Sequence, residues 1–134
     1  MVIRAAACNC RQLSLICEGD PVRVSMSHCL ECQRRTGAIF GTQAWFERQQ
    51  ITSVSGASTA FRQQSESGRS VTLRFCPICG STVYWEAEGF PGLIAVAVGS
   101  FADPDFPAPR YSVWERRRHR WIETISDVLM QHSN

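Results

Sequence analysis

The stretch Phe75-Cys76-Pro77-Ile78-Cys79-Gly80 decides how the chain is read. Two thiolates separated by two residues close onto one tetrahedral metal ion with Zn–S bonds of ~2.3 Å. A glycine after the second cysteine lets the backbone turn with positive φ and brings amides towards the sulfurs. Pro77 fixes φ at the start of the turn and removes one amide hydrogen that would need a partner. A Cys-x-x-Cys also serves as a redox dithiol, but such sites sit where a strand runs into a helix. Here both flanks, Val71 to Phe75 and Thr82 to Trp85, read as strands, which predicts a hairpin carrying a metal knuckle. Two thiolates are half a tetrahedral site, so the rest of the chain must supply the other half.

The chain has seven cysteines in 134 residues. Six fall into three close pairs: Cys8/Cys10, Cys29/Cys32 and Cys76/Cys79. Any four complete a Cys₄ site, and spacing alone does not say which two pairs combine. Alternate residues such as Cys8 and Cys10 share one face of a strand. Cys29-x-x-Cys32 has metal spacing but no glycine behind it. One pair alone fits buried core thiols; three pairs together in a small chain point to metal. The odd count argues against a simple disulfide framework. Met1 to Cys8 has no long apolar run behind its single arginine, so no signal peptide is expected. No stretch approaches the ~20 apolar residues of a membrane helix. A reducing cytoplasm is the expected compartment, where paired cysteines mean metal.

Length suits one domain over residues 1–134. Hydrophobic residues make up 44% and charged residues 19%, as in an ordinary globular chain. The formal net charge of +2 does not imply a polyanionic partner. The run Arg116-Arg117-Arg118-His119-Arg120 lacks the interleaved aromatics of a nucleic-acid platform, so a solvated loop is expected and nucleic acid is not.

Strands are expected at Ile3 to Ala7, Leu13 to Glu18 and Val22 to Ser27. In the second, Leu13, Leu15 and Cys17 face inward; in the third, Val22, Val24 and Met26 share a face. Gly19-Asp20-Pro21 reads as a turn joining these two into an early hairpin. Cys29 to Arg35 is expected to form one helical turn broken at Gly37. Further strands are expected at Ala38 to Phe46, Ile51 to Val54, Thr59 to Arg62, Leu93 to Val98 and Arg110 to Trp114. Gln63 to Ser70 and Gly99 to Pro109 read as loops. Trp121 to Ile125 is expected to be extended and Ser126 to Gln131 a turn of helix. Many short strands separated by turn signals predict an all-β domain with little helix.

The ordered set of motifs now carries a resemblance. Cys-x-Cys is followed by Ser27-His28-Cys29-Leu30-Glu31-Cys32-Gln33-Arg34-Arg35-Thr36-Gly37, then Ser65-Glu66-Ser67-Gly68 and the knuckle with Ser81-Thr82. Val98-Gly99-Ser100-Phe101-Ala102-Asp103-Pro104, Trp114 and Trp121-Ile122 complete it. From about Ala6 to Asp127 the chain resembles the glutathione-dependent formaldehyde-activating enzyme family, which includes centromere-protein-V-like members. The resemblance implies several small antiparallel sheets around a zinc site, a β-tent. It implies a structural zinc on Cys8, Cys10, Cys76 and Cys79, and a second, catalytic zinc held by a Cys-His-Cys-x-x-Cys motif. It further implies addition of glutathione to formaldehyde, classed as a carbon–sulfur lyase in the reverse direction.

The chain departs from that pattern at Ser27, where the motif has its first cysteine. A neutral hydroxyl is a poor zinc ligand beside a thiolate. Cys29 and Cys32 remain as the candidate catalytic and second-site metal residues, with water, a substrate thiol or another ligand left to complete the site. Ala6 and Arg11 also stand where the family commonly has glycine. Arg34 and Arg35 are candidates to bind a substrate carboxylate. His28 points to the opposite strand face from Ser27 and Cys29 and is expected in the core or behind the ligands. Core roles are expected for Cys17, Trp45, Trp85, Trp114 and Trp121, and an exposed turn for Glu31. Two functions compete. One is a zinc-dependent carbon–sulfur lyase handling a thiol adduct of a small aldehyde. The other is a non-catalytic zinc module that binds a partner.

Overall fold

The computed structural model describes residues 1–122 and 131–134. In chain order the strands are β1 (Ile3–Ala7), β2 (Ser14–Glu18), β3 (Arg23–Ser27), β4 (Gly41–Glu47), β5 (Ile51–Ser55) and β6 (Thr59–Gln64). They continue with β7 (Ser70–Phe75), β8 (Thr82–Ala87), β9 (Leu93–Ala97), β10 (Tyr111–Val113) and β11 (Gln131–His132). The α-helix found among the described residues, α1 (Leu30–Thr36), starts at Cys29 and ends at Gly37 with φ of 69°. The all-β expectation with little helix therefore holds, and the knuckle hairpin is the antiparallel pair β7–β8.

The strands form two sheets among the described residues. The smaller has the order β1-β2-β5, and the larger has the order β11-β10-β3-β4-β9-β8-β7-β6. Pairing is antiparallel except at one edge, where β10 lies parallel to both β3 and β11.

One expectation fails. Gly19-Asp20-Pro21 does not close a β2–β3 hairpin: β2 pairs with β1 and β5, whereas β3 pairs with β4 and β10. The physical reason is that the two strands carry opposite walls of one core. Leu13, Leu15 and Cys17 come from the small sheet's side, and Val24 comes from the large sheet. The turn therefore crosses between layers. It is held by Gln50, whose Nε2 donates to the carbonyls of Glu18 (3.1 Å) and Asp20 (2.8 Å).

Between the sheets, Ala6, Cys8, Leu13, Leu15 and Cys17 meet Val24, Ala44, Phe46, Val83, Ile94 and Val96. Burying a Leu or Phe side chain contributes about 1.5–3 kcal/mol, so this layer holds the sandwich together. The opposite face of the large sheet carries a second cluster of Trp45, Leu73, Trp85 and Ala95. Strands β3 and β4 are thus covered on both faces, which explains why Ser25, Ser27 and Gln43 are buried although polar. Two further expectations are corrected. Val22 lies outside β3 and is half-exposed, and Trp121 is 71% exposed rather than in the core. Residues 123–130 of the expected extended and helical segments lie outside the described residues; Gln131 belongs to β11.

Gly56, in the turn from β5, has φ of 91°, and a Cβ there would meet the carbonyl oxygen of Gln12 at 1.7 Å. The contact is with backbone and cannot be relieved by a rotamer change. Gly56→Ala is expected to lower stability by at least about 1–3 kcal/mol, the usual scale of backbone strain. Urea unfolding with an unchanged m-value checks it.

Candidate functional site

Cys8 and Cys10 follow β1, while Cys76 and Cys79 sit in the turn between β7 and β8. Their four sulfurs lie within 4.8 Å of one another. Sγ of Cys10 is 3.7 Å from those of both Cys8 and Cys76. Sulfurs tetrahedrally placed ~2.3 Å from one ion stand about 3.8 Å apart, so the cluster already has the dimensions of a Cys₄ site. Backbone amides converge on it: Leu13 N–H donates to Cys8 Sγ at 3.3 Å, and those of Ile78 and Cys79 donate to Cys76 Sγ at 3.3 and 3.4 Å. The four cysteines can hold a metal ion, and an all-thiolate donor set favours a soft or borderline cation such as zinc.

Electrostatics point the same way. Hydrogen bonding with Ser81, side chain first, pulls Cys79 down to about 5. At Cys76 burial raises the pKa, but amide hydrogen bonds from Cys79 and Ile78 and the Gln12 side chain outweigh it. At Cys10 the Gln12 backbone favours the thiolate, yet burial and the neighbouring sulfurs push the thiol up to about 11. Four sulfurs this close do not all ionise without a cation between them.

Gln12 is a residue that the sequence did not single out. Its Nε2 donates to Cys76 Sγ (3.0 Å) and to Ala57 O (2.7 Å), and its Oε1 accepts from Ala57 N (3.0 Å). It ties the Gly56 turn to the cluster, and no local motif marks such a contact across 64 residues.

Arg11 has φ of 71°. The left-handed conformation costs a non-glycine residue roughly 1–2 kcal/mol, offset in part by the lower entropy of the unfolded chain. Arg11→Gly is expected to raise stability by about 0.5–1 kcal/mol without changing metal content, as thermal unfolding followed by circular dichroism will show.

The second thiol pair lies on the other face of the large sheet. Cys29 caps α1, its sulfur accepting from Cys32 N–H at 3.3 Å, and the two sulfurs are 2.9 Å apart. The Cys29 S–H donates to Cys32, which lowers Cys32 to about 6, with help from Ser27 and the Arg35 guanidinium; Cys29 is correspondingly raised. Ser27 is buried, with its Oγ 3.4 Å from Cys29 N. Among the described residues, no third His, Cys, Asp or Glu joins Cys29 and Cys32 in a metal-binding group.

Ser27, Cys29 and Cys32 line a cavity of about 270 Å³. Register explains its composition. Arg23 pairs with Trp45, Ser25 with Gln43, and Trp45 and Trp85 with Ala95, so these side chains share the face away from the main core. Trp45, Trp85 and Trp114 form walls of this cavity, and Ser65, Ser67 and Arg69 stand at its edge. Trp45 and Trp85 thus combine the expected core role with this wall, whereas Trp114, half-buried, joins neither core cluster.

The remaining candidates divide. Arg35 lies over the Trp85 ring at 4.3 Å, beside Cys32. Arg34 is 74% exposed and pairs with Glu31 at 3.6 Å. Both arginines line an adjoining groove rather than the thiol cavity. His28 is fully buried and shares a 3.0 Å hydrogen bond with Ser112, with burial lowering its pKa; it fastens β3 to β10 instead of reaching the sulfurs. Cys17 is a core thiol that burial pushes up to about 12. The arginine run is tied down by Arg117–Glu66 at 2.9 Å and by His119 to Gln33 at 2.9 Å. No helix of the described residues is long and apolar enough to cross a membrane.

Comparison with known proteins agrees with this layout. A solved protein of Rhodobacter sphaeroides shares the fold with a TM-score of 0.57, at 19% identity, over 72% of this chain and 85% of its own. No curated protein matches the chain. The family model for the glutathione-dependent formaldehyde-activating enzyme matches residues 3–117, spanning both sheets, the Cys₄ cluster and the thiol cavity. The chain belongs to the glutathione-dependent formaldehyde-activating enzyme family.

Proposed function

We propose that the protein is a single zinc-stabilised domain acting as a carbon–sulfur lyase on the adduct of a small thiol, such as glutathione, with formaldehyde or a related aldehyde. Zinc on Cys8, Cys10, Cys76 and Cys79 has a structural part, and the chemistry belongs to Cys29 and Cys32. One observation carries this reading: two thiols hydrogen-bonded to each other at 2.9 Å stand in the wall of an aromatic-lined cavity, on the face away from the Cys₄ cluster.

In the addition direction the substrate sulfur attacks the carbonyl carbon, the C–S bond forms, and the C=O π pair moves to oxygen. The Cys32 thiolate takes the proton of the incoming thiol, and the Cys29/Cys32 pair returns a proton to the new alkoxide, so the net proton count on the protein is unchanged. The lyase direction is the same path reversed. Arg35, packed on Trp85, stabilises the negative sulfur. Positioned acid–base groups contribute ~10²–10⁴-fold, so Cys32→Ala is expected to cost about 100-fold or more in rate. Exchange of ¹³C-formaldehyde into its glutathione adduct, followed by NMR, tests this. Exchange no faster than in buffer would overturn the reading.

Ser27 and the lack of a third ligand for Cys29 and Cys32 among the described residues favour one rival, a non-catalytic zinc module for a partner. It requires Cys29→Ala and Cys32→Ala to leave every thiol–aldehyde exchange rate at the buffer value.

A further inference from the structure

The thiol cavity contains more recognition chemistry than the cysteines use. Gln43 is only 7% exposed; its Nε2 donates to Ser25 Oγ at 3.0 Å, but its Oε1 is buried with no partner among the described residues. A buried carbonyl oxygen without a donor is destabilising, and that cost is recovered when a ligand supplies one. Arg23 presents a second unmet demand. Its guanidinium stacks on Tyr111 at 4.0 Å and lies 5.8 Å from the centre of the Phe90 ring, and its buried Nε also lacks a partner. Arg69 stands at the same end. Its Nη1 would lie 3.0 Å from a Cβ on Gly89, next to Phe90. Neither arginine is in an ion pair among the described residues, and no Asp or Glu of those residues lines the cavity.

These groups are ordered along β3. Ser27 lies at the thiol end; Ser25, paired with Gln43, is about 7 Å along; Arg23 is about 13 Å along at ~3.3 Å per residue. A ligand matching the order has a sulfur, then an N–H or O–H donor, then an anion. The volume of about 270 Å³ sits at the low edge of the ~300–1,000 Å³ typical of ligand pockets, which calls for a small molecule.

We propose that Arg23 and Arg69 bind the carboxylate, and Gln43 Oε1 a central donor, of a small anionic thiol whose sulfur faces Cys29 and Cys32. The orientation of the sulfur rests on the function proposed above; the carboxylate and donor contacts do not. Arg34 and Arg35 then have no part in holding the carboxylate.

The test is calorimetric titration of the zinc-loaded protein, under reducing conditions, with N-acetyl-cysteinylglycine and with its C-terminal amide. Charge-assisted hydrogen bonds are worth about tenfold or more in affinity, so the acid is expected to bind at least about tenfold tighter than the amide. Arg23→Gln and Arg69→Gln each shrink that ratio towards one, while Arg34→Gln leaves it alone. Gln43→Leu weakens acid and amide alike. Arg69 is exposed, so its variant keeps the test valid if Arg23→Gln folds poorly. Equal affinity for acid and amide, no binding of either, or a ratio indifferent to Arg69→Gln would overturn the proposal. Acid preference without any exchange activity would sink the lyase reading alone, and activity without acid preference would sink this one alone.

Discussion

Cys79→Ser is expected to release the metal and abolish the cooperative thermal transition, whereas Cys29→Ser, the same chemical change outside the cluster, moves the midpoint by a few degrees. The Cys₄ cluster joins the end of β1 in the small sheet to the β7–β8 turn of the large one, across 66 residues of sequence. Metal binding there is therefore also sheet-to-sheet binding. Structural zinc contributes roughly 10–16 kcal/mol in small domains, comparable with or larger than the ~5–15 kcal/mol margin of a folded protein. Chelation should reproduce the effect in the wild type. Differential scanning calorimetry with zinc counted on the same samples checks both. A Cys79→Ser protein that keeps a sharp transition within a few degrees of wild type would show that the two sheets hold together by apolar packing alone.

Ser27→Cys is expected to create a second strong metal site. The Ser27 side chain is buried, lines the same cavity as Cys29 and Cys32, and accepts from Cys29 N–H at 3.4 Å. A sulfur in place of that oxygen adds a charged, soft donor within reach of two thiols already 2.9 Å apart. Under a chelator that leaves the wild type with one zinc, the variant should hold two, with second-site affinity raised at least about tenfold, or ~1.4 kcal/mol. Exchange activity should change with the second zinc: upward if the metal acidifies the substrate thiol, downward if Ser27 leaves room for substrate. Equal zinc content in both proteins would mean that the hydroxyl does not limit metal binding at this pair.

The knuckle half of the metal cluster was legible in the sequence because its signals are local, whereas its pairing with Cys8 and Cys10 was implied only by the family resemblance. Cys76-Pro77-Ile78-Cys79-Gly80 between two strand patterns fixes a knuckle, and the alternation of Leu13, Leu15 and Cys17 fixes β2 and its inward face. What could not be read is what depends on layers. Gly19-Asp20-Pro21 has the composition of a hairpin turn, yet joins two sheets, because turn chemistry does not record which strand its ends pair with. The parallel docking of β10 on β3 is equally non-local. Gln43 and Arg23 were missed for a related reason. Strands β3 and β4 are covered on both faces, so polar residues that a one-sided strand would show to water instead line a cavity. Arg34 and Arg35 drew attention by standing next to a cysteine motif, but Arg34 leaves the α1 surface into solvent.

The central claim is that Cys8, Cys10, Cys76 and Cys79 together hold one zinc. X-ray absorption at the zinc edge of the wild-type protein, as purified and after mild chelation, tests it most directly. The account predicts one zinc per chain with four sulfur neighbours at ~2.3 Å and no nitrogen or oxygen in the shell. A shell containing nitrogen or oxygen, or a folded protein with no metal at all, would contradict it.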